Sequence, residues 1–132
     1  MNNVKLRMAV AFLLFASPFV HSQTSNVATK QFLYKVQSTR ADMAKSGANP
    51  QEKAALGERF AYLKELSEKG VVVLVGYTLN TDETSFGIVV LSTASEDAAR
   101  DIMNRDPAVK KGVLKATLFP YRTVLTGGKP MD

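Results

Sequence analysis

Two β-rich runs near the middle of this chain, VVVLVGYTL and SFGIVVLST, constrain its fold more than any other feature. They flank the polar turn NTDET and read as an antiparallel pair, Val71 to Leu79 and Ser85 to Ser92. Alternate residues of a strand face opposite sides of the sheet. Val71, Val73 and Val75 then point one way while Val72 and Leu74 point the other, and Phe86, Ile88 and Val90 oppose Val89 and Leu91. A sheet with one wet face carries polar residues at every second position. Here both faces are apolar, so both need a cover.

The segments on either side say what supplies one of those covers. Asn49 suits a helix N-cap, Pro50 the first helical position, and Glu52 the first turn, where its charge complements the helix dipole. Leu56, Phe60, Leu63 and Leu66 recur at helical spacing and Gly70 supplies a stop, which predicts a helix from Pro50 to Lys69. Upstream, Gln31 to Gln37 alternates like a strand, and STRADMAKSGA reads as a loop. A second helix starts near Ser95, with Glu96 and Asp97 in its first turn, and Asp106-Pro107 breaks it. Val113 to Leu125 gives a last strand, in which Pro120 indicates an edge position or a bulge.

The order is strand, helix, strand, strand, helix, strand. It predicts an α+β, ferredoxin-like βαββαβ domain over residues 31–126, with a four-stranded antiparallel sheet and two helices on one face. Residues 23–30 read as a flexible lead-in and 127–132 as a flexible tail. Two helices cover one face only. The apolar residues left on the other, at about 1.5 to 3 kcal/mol each, point to a homodimer joined sheet to sheet, with a cavity at the join. The competing cover is the chain's own N-terminal lead-in or the loop of the last strand.

Residues 1–22 read as a secretory signal. Lys5 and Arg7 precede an apolar stretch from Met8 to Val20, and Val20-His21-Ser22 places cleavage between Ser22 and Gln23. That stretch of 13 residues, interrupted by Ser17 and Pro18, is too short to span a bilayer, where about 20 are needed, so no stable membrane anchor is expected after cleavage. The protein is then exported, to the periplasm or beyond. His21 is the only histidine and there is no cysteine, so the processed chain keeps neither.

That composition excludes whole classes of chemistry. No thiolate nucleophile, Ser-His or Cys-His pair, or imidazole-ligated metal can form. Two of the seventeen basic residues leave with the signal, and against twelve acidic ones the rest give a mild formal charge of +3. No basic run interleaved with aromatics marks a nucleic-acid surface. Asp82-Glu83 reads as turn chemistry and Glu96-Asp97-Asp101 as helix N-terminal charge, so no metal is expected, and no cofactor is called for.

One charged residue sits where charge is costly. On a helical wheel Arg59 falls between Leu63 and Leu66, inside the apolar arc, and needs a partner or a polar cavity. Asp82 is the natural partner. An Arg59–Asp82 site would hold an anionic small molecule such as a carboxylate; the plainer alternative is a structural ion pair or a snorkelling stem. Tyr77, Phe119 and Tyr121 are candidates to line the same cavity.

Gly70, Gly76 and Asp82 at six-residue intervals, DPAVKKGV from Asp106 to Val113, and Pro120-Tyr121 together resemble the YCII-related (YciI-like) domain family. The resemblance spans about Gln31 to Thr126. It implies a dimeric ferredoxin-like fold, similar also to muconolactone isomerases, and for members thought to be enzymes a histidine–aspartate catalytic pair. Asp82 matches the aspartate, whereas the histidine's position falls on Arg59, which stays protonated and cannot act as a general base. The first expectation is therefore an exported, dimeric domain that binds a small anion without catalysis. The alternatives are a lyase or isomerase with Asp82 as proton acceptor and Arg59 holding the substrate or an enolate, and a protein-interaction module.

Overall fold

The computed structural model describes residues 28–128. The expected secretory signal with its Ser22–Gln23 cleavage point, His21 and most of the expected lead-in lie outside the described residues. Eight elements follow in the order β1 (Lys30–Ser38), α1 (Met43–Ser46), α2 (Pro50–Glu68), β2 (Val72–Tyr77), β3 (Gly87–Thr93), α3 (Glu96–Arg105), α4 (Pro107–Lys110) and β4 (Leu114–Tyr121). All pairings are antiparallel and the strand order is β2-β3-β1-β4, the α+β ferredoxin-like sheet. β4 is an edge strand, as Pro120 requires, since a missing N–H is harmless there. No helix among the described residues is long and apolar enough to cross a membrane.

Local signals explain the long elements. In α2 the Asn49 side chain accepts from the Glu52 amide at 2.8 Å and the Glu52 carboxylate accepts from the Asn49 amide at 2.8 Å, a complete capping box. At its far end Gly70 has φ 72, a left-handed conformation that side chains resist, and Val71 N–H returns to Leu66 C=O at 2.9 Å. In α3 the Ser95 side chain caps the Ala98 amide.

Two short helices were not foreseen. α1 lies in the segment expected to be loop, and α4 follows the Asp106-Pro107 break directly. Asp106 ends α3 and caps α4, its Oδ1 accepting from Ala108 N–H at 3.1 Å, so the break turns the chain and a new helix starts.

The register defines the two faces. Toward the helices run the rows Val72–Leu91–Phe32–Pro120, Val75–Val89–Tyr34–Leu118 and Tyr77–Gly87–Val36–Ala116. Phe32, Tyr34, Val36, Val89 and Leu91 form the core with Ala55 and Leu63 of α2 and Ala99 and Met103 of α3. A bulge between Val72 and Leu74 corrects the simple alternation expected for β2. One extra residue opposes β3, so Val72, Val75 and Tyr77 share a face that strict alternation denies them. On the open face one apolar row, Leu74–Val90–Leu33–Phe119, crosses all four strands.

Candidate functional site

A cavity of about 660 Å³ opens at the end of the sheet where β2 passes into β3. Met43 and Ala44 of α1, Leu56, Arg59, Phe60 and Leu63 of α2, and Val75 and Tyr77 of β2 line it. Asp82, Glu83, Ser85 and Phe86 of the β2–β3 turn, and Leu114 and Lys115 at the start of β4, complete it. One chain builds it, mostly on the helix-covered side, whereas the sequence placed the cavity at a junction of two sheets.

The α1 wall is fixed by Arg40. Its Nε and Nη2 donate to the two Glu52 oxygens at 2.8 and 2.7 Å, Nη1 to Asp42 Oδ1 at 2.8 Å and Ser46 Oγ at 2.9 Å, and Nη2 also to Gly47 C=O at 2.7 Å. Every nitrogen of this guanidinium is engaged. Glu52, gripped by Arg40 and by the Asn49 amide, is held well below the usual carboxylate range, at about 2.

Arg59 is treated differently. It is buried, at 8% exposure, on the α2 stripe Glu52–Ala55–Arg59–Leu63. Its partner is Asp106, with Nε 3.3 Å from Oδ2, and not the expected Asp82. Asp106 is fully buried and also accepts from the Tyr34 hydroxyl at 2.9 Å. Burial, and then the Asp106 charge, push the Tyr34 hydroxyl far above its ordinary range, so it stays a donor. The described residues supply no hydrogen bond to the two terminal Arg59 nitrogens. No described side-chain nitrogen or oxygen is both buried and unpaired, so those nitrogens keep some contact with solvent, and Arg59 is one of the residues that line the cavity.

Asp82 lines the same cavity from the turn. Its Oδ1 accepts from the Thr84 amide at 2.9 Å, from Asn80 Nδ2 at 2.8 Å and from the Thr84 hydroxyl, while Oδ2 has no partner among the described residues. The Thr84 hydroxyl first, and then its amide, lower the Asp82 pKa, which makes it a weaker base than an ordinary carboxylate. Tyr77 also lines the cavity, with 78% of its surface exposed at the rim. Phe119 and Tyr121 do not. Register pairs them with Leu33 and Gln31 on the open face, because β4 alternates in step with β1 and only Leu114 and Lys115 reach the cavity end. Phe60, expected in the core stripe, is 72% exposed at the rim. Among the described residues no cluster of three or more acidic groups is arranged to hold a metal ion.

Asp106 and Tyr34 escaped the sequence reading as site residues. Asp106 was visible as a helix breaker and as the first residue of the DPAVKKGV motif, and Tyr34 only as an alternating strand residue. An acidic residue directly before Pro107, in a chain with an arginine on an apolar helical arc, was the available signal.

No curated protein matches the chain. Among solved structures it is similar to 5-chloro-2-hydroxyhydroquinone dehydrochlorinase from Burkholderia phenoliruptrix AC1100, at 17% identity and TM-score 0.47 over 70% of this chain and 93% of that one. An uncharacterized protein from Thermotoga maritima aligns at 13% identity and TM-score 0.48 over 71% and 99%. A cofactor-independent oxygenase from Streptomyces nogalater aligns at 13% and 0.40 over 76% and 99%. These likenesses are distant. The YCII-related domain pattern, in contrast, matches residues 30–119, from the first residue of β1 to Phe119 in β4. The chain belongs to the YCII-related domain family.

Proposed function

We propose that this protein is an exported YCII-related domain that binds a small anionic molecule on Arg59, with no catalytic step required. The observation that carries the reading is the contrast between two arginines. Arg40 spends all its donors on the protein, whereas Arg59 is buried, steadied by Asp106 through one nitrogen, and keeps its terminal nitrogens for a cavity of small-molecule size. A guanidinium in that state binds a carboxylate strongly, because its desolvation is already met and a bidentate acceptor satisfies the remaining donors. Arg59→Ala is expected to weaken binding of carboxylates by about tenfold to a hundredfold, the worth of a charged hydrogen bond. Isothermal titration across a carboxylate panel measures it, and unchanged affinities would end the reading. Export predicts that N-terminal sequencing of the released chain begins at Gln23.

A second reading has one observation in its favour: Asp82 keeps Oδ2 free in the same cavity. Asp82 would accept a proton from a substrate held by Arg59, as a lyase or isomerase requires. Its lowered pKa makes it a poor base, so binding alone remains the preferred function. If an activity is found, Asp82→Asn must abolish it; full retention would remove this alternative.

A second copy of the chain is the proposed partner, joined across the open face. Leu74 and Phe119 are exposed at the two ends of the apolar row that crosses the sheet.

A further inference from the structure

We infer, resting on the anion-binding reading above, that the cavity selects a flat, largely apolar monoanion with a hydroxyl group remote from its acid. The acid group goes to Arg59, for the reasons already given. Three observations extend this to the rest of the ligand.

The first is the rim. Phe60 of α2 and Tyr77 of β2 line the cavity with 72% and 78% of their surfaces exposed, and Phe86 joins them from the turn. Large aromatic side chains left uncovered on a soluble domain are unfavourable, and a planar apolar body stacked between them would cover them. The second is the free Oδ2 of Asp82, whose other oxygen is saturated by Asn80 and Thr84. An ionised carboxylate only accepts, so it asks for a hydroxyl or N–H donor on the ligand. The third is charge. Asp82 and Glu83 stand together on the turn and oppose a second negative charge beside them, Lys115 at the start of β4 being the other cation in the lining besides Arg59.

Titration of the full chain with 6-hydroxy-2-naphthoate, 2,6-naphthalenedicarboxylate and acetate tests the inference. The hydroxynaphthoate is expected to bind at least about tenfold more tightly than either of the others, since an unmet polar group or a missing apolar body each costs about that much. Phe60→Ser and Tyr77→Ser change exposed residues and leave the Arg59–Asp106 pair intact. Each is expected to weaken hydroxynaphthoate binding several-fold and to leave acetate unchanged. Acetate binding as tightly as hydroxynaphthoate, with Arg59 still required, overturns the selectivity and leaves the anion-binding reading standing. Dicarboxylate binding as tightly overturns the monoanion requirement in the same way. Absence of Arg59-dependent binding by all three overturns both.

Discussion

Asp106 holds three groups at once: Arg59 Nε, the Tyr34 hydroxyl and the Ala108 amide. Removing it strands all of them, and the stranded cation dominates, because an unpaired buried charge costs more than any lost hydrogen bond. Asp106→Ala is expected to lower stability by about 3 to 5 kcal/mol, the usual penalty for breaking a buried pair. Tyr34→Phe removes one neutral donor and is expected to cost about 1 to 2 kcal/mol. Urea unfolding midpoints of the two variants measure the difference. Equal effects would mean that Arg59 finds another acceptor when Asp106 is gone. Arg59 itself was legible in the sequence, since a cation inside an apolar arc is conspicuous. Its partner was not: the sequence reading placed it at Asp82, and only the fold brings Asp106 against Arg59.

At the scale of elements, the cavity depends on how α1 is tethered to the start of α2. Glu52 does two jobs, capping α2 through Asn49 and holding Arg40, which in turn fixes Asp42, Ser46 and Gly47. Its folded pKa of about 2 lies below its ordinary value of 4.5. A depressed carboxylate stabilises the fold fully above the ordinary value and loses that contribution as pH falls toward the folded one. The α1 wall is therefore expected to loosen between about pH 4.5 and pH 2, seen as falling amide protection factors over residues 40–48 once the intrinsic pH dependence of exchange is divided out. Glu52→Gln should exchange quickly at neutral pH and respond little to acid; a wild-type response in that variant would rule out Glu52 as the tether. The capping box was readable from Asn49, Pro50 and Glu52 alone, because its contacts lie within one turn. The β2 bulge was not readable, since it exists only as a mismatch between β2 and β3. At the neighbouring pairing of β2, β3 and β1, a Cβ on Gly87 would meet Val36 Cγ2 at 3.0 Å, so the strands close tightly where the cavity begins.

For the whole molecule, the proposed dimer rests on the open face. Leu74, Val90, Leu33 and Phe119 form one row, and Lys35 and Thr117 in the next row give it a polar border. Sedimentation equilibrium at micromolar concentration is expected to give a dimer, and Phe119→Asp, with a charge placed in the apolar row, a monomer. A wild-type monomer would show that the face needs no partner.

The sequence by itself determined the order of the four strands and two long helices, the capping of those helices and the unusual placement of Arg59. These follow from signals carried by neighbours along the chain. Only the tertiary structure decided that Asp106 neutralises Arg59, that Tyr77 joins the cavity while Phe119 and Tyr121 face away, and that α1, α2 and the β2–β3 turn line one cavity. Those outcomes depend on register and on contacts between residues far apart in sequence, where one inserted strand residue reverses which side chains meet.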